Sequence, residues 1–241
     1  MQLRRNISFQ DERTLLTNLP EVRRLHGLVE CNDWHDDDPL EQSLRLFHWV
    51  KRLPASLLET LDAPEAVLRT LLSSVVDPAN GEHTVQALLA FSALIHDVGK
   101  AETWRRLPDG TTRCPGHEAV GARMASDICA RFNLPPAETR FVVHLVGAHG
   151  QPYALFKRIA PLPAVQQQEQ MRFFESEQAD YFLPLLLLAF GDLVTSQLQT
   201  IREHKYEAVL EFYRLWMRTL WSREKGGTQV DRKRDRWEQE R

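Results

Sequence analysis

The chain has 241 residues, of which 43% are hydrophobic and 26% charged, and its net charge is −3. This length supports a substantial core in one large domain, or one domain with an appendage. The slight acidity excludes a global attraction to nucleic acid, so any contact with RNA has to come from local basic patches.

Cys31, Cys114 and Cys129 are odd in number and lack the C-x-x-C spacing of a zinc clip or redox pair, which points to a reducing, cytoplasmic setting. Polar residues follow Met1-Gln-Leu-Arg-Arg, so no signal peptide is expected. The apolar run at 184 to 190 is far shorter than the ~20 residues a bilayer requires, and no membrane partner is expected.

A polar N-terminal arm is drawn over residues 1 to 18. Within and beyond it Leu15, Leu16, Leu19, Val22, Leu25 and Leu28 recur at helical spacing, with Pro20 splitting the segment. Asp38, Pro39 and Glu41 form a helix start resembling a capping box. Leu40, Leu44, Phe47 and Val50 then make an apolar stripe, while Gln42 shares another face with Leu46 and Trp49. A third helix is expected over 64 to 76, a loop over 77 to 81, and a buried helix over Val85–Ile95.

An irregular stretch with a Pro-Asp-Gly turn at 108 to 110 leads to a helix opened by Gly116-His117-Glu118, with Val120, Met124, Ile128 and Phe132 on its core face. The next helix starts at Pro136 and runs into His149. Residues 151 to 178 hold Pro152, Pro161 and Pro163, which reads as a loop with short helical pieces. A strongly apolar helix over about 181 to 198 carries a single acid, Asp192, and the last helix is predicted over 206 to 221. Domain limits follow: a helical domain over 19 to 200, a C-terminal helix packed on it over 201 to 222, and a charged, solvated tail over 223 to 241. Period-two alternation is absent, so the fold class is all-α, a multi-helix bundle.

The chemistry concentrates where the buried helix ends in His96-Asp97-Val98-Gly99-Lys100. An imidazole beside a carboxylate suits a divalent metal, and burying both without a partner is costly. Gly99 is expected to end the helix in a left-handed conformation, leaving Lys100 as a mobile cation able to meet a phosphate. Alone, such a pair reads as a polar helix cap. Further ligand types at helix ends or on buried helices, namely His117, His149 and Asp192, change that reading. The tryptophans, notably Trp49, Trp104 and Trp216, are read as core residues instead of a base-stacking platform.

In order and context these residues resemble the HD superfamily of metal-dependent phosphohydrolases. More narrowly they resemble the HD domain of bacterial tRNA nucleotidyltransferases, the CCA-adding enzymes. The similar stretches are Leu19-Pro20-Glu21-Val22, Trp34-His35, 96 to 100, Gly116-His117-Glu118-Ala119, His149 and 188 to 193. No nucleotidyltransferase head is expected, since a Gly-Ser followed by an Asp-x-Asp pair is missing. Where the family's early metal-binding histidine would fall, the sequence has Gln42, a weaker ligand.

The resemblance implies an HD-like bundle holding one or two divalent ions, for which manganese, magnesium, nickel, zinc and iron are all candidates. His96, Asp97 and Asp192 would hold one ion, with Gln42 a weak fourth ligand. His117 and His149 would hold a second, bridged through Asp97 as the central catalytic residue. Lys100 is expected to act on substrate, with Arg123 and Arg45 assisting. The implied substrate is a nucleotide or an RNA 3′-end phosphate, and the implied reaction is that of a phosphatase or a 2′,3′-cyclic phosphodiesterase. Gln42 keeps open an alternative, a catalytically weak fold that binds a nucleotide, RNA or a partner.

Overall fold

The computed structural model describes residues 12–31, 38–58 and 65–239, with side chains followed as far as Trp221. Trp34-His35, the first eleven residues and Pro64 lie outside the described residues. Helices α1 (Glu12–Asn18) and α2 (Pro20–Arg23) are separated at Leu19, with Pro20 at the first position of α2, where its missing N–H costs nothing. Leu15, Leu19, Val22 and Leu25 are fully buried, so the segment read as an arm already contributes a helix to the core.

Helix α3 (Pro39–Lys51) starts as its sequence dictates: one Asp38 oxygen accepts from the Leu40 amide at 2.8 Å, and the other accepts from Gly27 N–H at 2.7 Å. Both of its apolar faces are covered, because it packs against α6 (Val85–Ile95) and α12 (Phe182–Thr195). Gln42, Leu46 and Trp49 are therefore as buried as Phe47 and Val50. Between α3 and α6 run α4 (Ala55–Leu58) and α5 (Glu65–Ser73). Thr84 caps α6 by accepting from Ala87 N–H. The loop before it is anchored by the fully buried Glu138, whose Oε1 accepts from the backbone N–H of Glu82 and His83 at 2.6 and 2.8 Å.

Helix α7 (Lys100–Thr103) follows at once, then a small antiparallel hairpin, β1 (Arg105–Arg106) with β2 (Thr112–Arg113), around the Pro-Asp-Gly turn. Two-residue strands are too short to leave an alternating pattern, so the sequence there reads as irregular. Helices α8 (His117–Arg131) and α9 (Pro136–Ala148) pack together and α9 lies on α6.

The region expected to be a loop is instead α10 (Gln151–Ile159) and α11 (Ala164–Gln178). Its prolines stand at or just before helix starts and so punctuate helices instead of breaking them, while glutamine is a good helix former. After α13 (Leu198–Ile201), the last helix, α14 (Glu203–Gln239), is longer at both ends than its apolar spacing predicts.

Helix α12 is apolar all round because it runs through the middle of the bundle, where Leu185 to Leu188 are fully buried. Each such leucine contributes about 1.5–3 kcal/mol. Trp216 on α14 packs edge-on to Phe174 and tilted against Phe182 and Phe212, which joins α11, α12 and α14. Trp49 and Trp216 are core residues, as expected from the sequence.

Candidate metal centre

Three helix ends meet at one point. His96 follows the last residue of α6, His149 follows the last residue of α9, and His117 opens α8. In each, Nδ1 lies 2.8–2.9 Å from the backbone carbonyl three residues earlier: His96 on Ala93, His117 on Cys114, His149 on Val146. A carbonyl only accepts, so each Nδ1 carries the proton and each Nε2 is turned toward the common centre.

Asp97 stands among the three rings with its two oxygens facing different ways. Oδ2 is 3.1 Å from His96 Nε2, whereas Oδ1 is 3.3 Å from His117 Nε2 and 3.6 Å from His149 Nε2. Asp192, one-fifth exposed on α12, places Oδ1 3.7 Å from His96 Nε2. His96, Asp97 and His149 offer donor atoms all within 4.8 Å of one another. The structure thus brings together all five of the histidines and aspartates named from the sequence.

The donor set fits a cation. Two nitrogen or oxygen ligands each ~2.1 Å from one ion are at most ~4.2 Å apart, and the pairwise separations of 3.1–3.7 Å fall inside that limit. His117 Nε2 and His149 Nε2 face each other at 3.3 Å, an arrangement in which two lone pairs repel unless a proton or a metal stands between them.

The titration behaviour has the same origin. Burial opposes charge on His96, but the carboxylates of Asp97 and Asp192 outweigh it and push the ring up to about 10. His117 is also raised, the hydrogen bond to Asp97 overcoming burial. Burial together with the positive charge of His96 drives His149 down to about 4. Burial would raise Asp97, yet His96 and Lys100 hold it well below the usual carboxylate range.

Lys100 departs from expectation. It is 4% exposed, and its ammonium lies 2.6 Å from Glu30 Oε2 and 2.9 Å from Asp97 Oδ2. It fixes Asp97 and is not a mobile cation. Burial acts against its charge, but Asp97 and Glu30 hold its pKa above the ordinary lysine value, while burial raises Glu30.

Gly99 is right-handed, with φ −65°, so the expected left-handed helix end is absent. The residue is small for another reason: a Cβ there would stand 2.1 Å from the His117 carbonyl and 2.6 Å from the Gly121 amide. Backbone touches backbone where α7 begins and α8 passes. The left-handed glycine is Gly116, at φ 68°, just before His117.

Gln42 also takes an unexpected role. Its Nε2 donates to Asp192 Oδ1 at 2.9 Å and to the Asp192 carbonyl at 3.2 Å, while its Oε1 accepts from Arg45 at 2.8 Å. The only atom with which it could ligate is turned to the arginine, so Gln42 positions Asp192 and stands outside the ligand group. Arg45 is engaged with Gln42 and with the Thr195 carbonyl, and Arg123 is exposed on α8. Neither lines the cleft that opens over the centre.

That cleft, about 890 Å³, has Asp97, His117, His149 and Asp192 on its floor and Tyr153, Lys157, Arg202 and Lys205 on one wall. The sequence reading missed this wall and Glu30 alike. Cys114 also lines the cleft, its thiol pushed up to about 12 by burial and by Glu30.

No family model matches the chain. It is homologous over part of its length to tRNA nucleotidyltransferases. An A-adding tRNA nucleotidyltransferase of Deinococcus radiodurans is 35% identical over 175 residues, 72% of this chain and 31% of that protein. Multifunctional CCA proteins of Legionella pneumophila and Ralstonia nicotianae are 30% and 29% identical over 42% and 56% of this chain, which is 23% and 24% of theirs. The matched segments thus span at most about a third of those relatives.

Proposed function

We propose that the chain is a metal-dependent phosphohydrolase of the HD type, acting on a phosphoester of a nucleotide or an RNA 3′ end. The observation that carries this reading is the convergence of His96, Asp97, His117, His149 and Asp192, with every imidazole Nε2 turned inward. The homology to tRNA nucleotidyltransferases supports a nucleotide or RNA substrate and a reducing, cytoplasmic setting. A bound divalent ion would supply Lewis acidity toward the phosphoryl group and an activated water.

The chain's own residues do the rest. Asp97 presents one oxygen to His96 and the other to the two remaining rings, as a ligand shared between two ions would. Lys100 prevents it from rotating, Gln42 does the same for Asp192, and the cleft admits the phosphoester from the side of His117 and Asp192. Phosphatase and 2′,3′-cyclic phosphodiesterase activity are the two narrower forms of the reaction. The test is metal analysis of the purified protein combined with a screen of phosphate esters. Bound manganese, nickel, iron or zinc together with hydrolysis that Asp97→Asn abolishes is the expected result. A parental rate in that variant would overturn the metal mechanism.

Gln42 is the specific observation that favours the second reading, a fold that binds nucleotide or RNA without turnover. Gln42→His separates the two: added imidazole should tighten metal binding by about 10-fold or more and raise hydrolysis if the centre is catalytic. His48 does not substitute for the missing ligand, because it is exposed and paired with Glu12 at 2.7 Å.

A further inference from the structure

The proposed phosphoester site occupies only the floor of a cleft far larger than a phosphate. On the wall beside it, α10 follows α9 with only His149 and Gly150 between, both in right-handed helical conformation. Tyr153 and Lys157 stand one turn apart on α10, about 6 Å along its axis. Both line the cleft with His149, as residues at four-residue spacing on one face should.

Lys157 Nζ lies over the Tyr153 ring at 4.8 Å from its centre, and Lys205 Nζ of α14 lies over the same ring at 5.7 Å. Arg202, just before α14, lines the same wall. The scaffold is rigid there: Tyr153 stacks on Phe156, and Phe156 packs on Phe212 of α14.

Two ammonium groups held at one aromatic ring repel each other, and a low-dielectric cleft concentrates their field. A phosphate placed beside the ring would accept from both ammonium groups. The floor is of opposite character: it gathers three carboxylates, Asp97, Asp192 and Glu30, around inward-facing imidazole nitrogens and one ammonium, Lys100. Charge is thus segregated across the cleft, with a cation-accepting floor and an anion-accepting wall.

We propose that Tyr153, Lys157, Lys205 and Arg202 form a subsite for a second phosphate of the substrate, one flanking the phosphate that reaches the metal centre. The preferred substrate class is then a phosphoester carrying a neighbouring phosphate, as in an oligoribonucleotide end or a nucleoside bisphosphate. This rests on the phosphohydrolase reading for the role of the floor, but binding at the wall is measurable without turnover.

The experiment measures binding, in manganese, of three probes to the full chain and to Lys157→Gln/Lys205→Gln: a labelled triribonucleotide with a 3′-phosphate, adenosine 3′,5′-bisphosphate and adenosine 3′-monophosphate, each with its 3′-phosphate replaced by a non-hydrolysable phosphonate. Single-stranded nucleic acid releases about 0.7 counterion per phosphate contact, so losing one or two contacts lowers the salt slope for the trinucleotide by about 0.7–1.4. The expected result is that slope change with about a 10-fold loss of affinity for the trinucleotide, the bisphosphate or both, and unchanged binding of the monophosphate. Loss for the trinucleotide alone identifies an RNA end, and loss for the bisphosphate identifies a free nucleotide. Equal losses for all three probes, or none, would overturn the subsite. Absence of hydrolysis with any metal would defeat the proposed function while leaving this binding difference intact. Unaltered far-ultraviolet dichroism and metal content in the variant exclude misfolding as the cause.

Discussion

Asp97 is buried among His96, His117, His149 and Lys100, and these neighbours make it structural as well as chemical. The proposed role as a shared ligand would by itself suggest that truncation spares folding. The contacts argue for a larger effect, since Asp97→Ala removes one of the two carboxylates that hold the buried Lys100 ammonium and the carboxylate nearest the His96 ring. Breaking a buried pair of this kind costs about 3–5 kcal/mol, so chemical denaturation should register a large loss, with Asp97→Asn the milder variant. Lys100→Met is expected to fall in the same range because it leaves Glu30 and Asp97 facing each other. Adding Glu30→Gln should return part of that loss, and a double-mutant cycle with strictly additive effects would rule out the pairing. Nothing local in the sequence marks Glu30 as a partner of Lys100, because the pairing spans 70 residues. The His-Asp doublet was legible for the opposite reason: its residue types carry chemistry wherever they are buried together.

At the scale of elements, two glycines set how closely helices approach. At Gly99 the obstacle is backbone, and at Gly191 it is the Leu46 methyl and the Trp49 ring, each 2.7 Å from a built Cβ. Overpacking of this sort costs about 1–3 kcal/mol, so Gly191→Ala should lower the melting temperature while Trp49 shifts. Gly99→Ala should cost at least as much, because a carbonyl and an amide cannot change rotamer. It should also lower metal content, since His117 belongs to the displaced segment. Gly27→Ala is the control: its Cβ meets nothing, and only the φ of +79° is penalised, by about 1–2 kcal/mol. Helix α6 was legible to the residue, from its apolar run. The helices over 151 to 178 were not, since proline reads as a breaker unless its place at a helix start is known. The lysine wall was illegible too, because Lys157 and Lys205 meet only when α10 packs beside α14.

Across the whole molecule, the N-terminal segment is tied to the site-bearing half by a bidentate pair. Arg131 of α8 donates to both Glu21 oxygens, at 2.7 and 2.9 Å. Burial raises the Glu21 pKa, but the Arg131 hydrogen bond and charge outweigh it, and the net shift is downward. A carboxyl depressed in the folded state contributes stability that is present above its unfolded pKa and lost as pH falls through the folded value. The pair is partly exposed, so the contribution is about 0.5 kcal/mol. The stability gap between the parent and Glu21→Gln should be fully open at pH 7 and close on acidification below the ordinary glutamate range. Denaturation curves at several pH values check it, and a gap that widens in acid would contradict the assignment.

The tethering of each histidine Nδ1 to a carbonyl three residues earlier has a thermal consequence. For His96 and His149 ring orientation is inherited from the helix end itself, and for His117 from the turn at Cys114 that leads into α8, so repacking a neighbouring side chain does not retune it. Fraying of α6 or α9 by a single turn releases an imidazole outright, and loss of the turn before α8 releases His117. On the proposed metal reading, the centre should therefore lose a bound ion in one step as the temperature rises, at the point where these ends unwind, with no intermediate stage of gradual loosening. Metal release followed by a chromogenic chelator and helix content followed by dichroism should trace the same curve. Release well below the unwinding transition would mean that the rings swing free of their own helices.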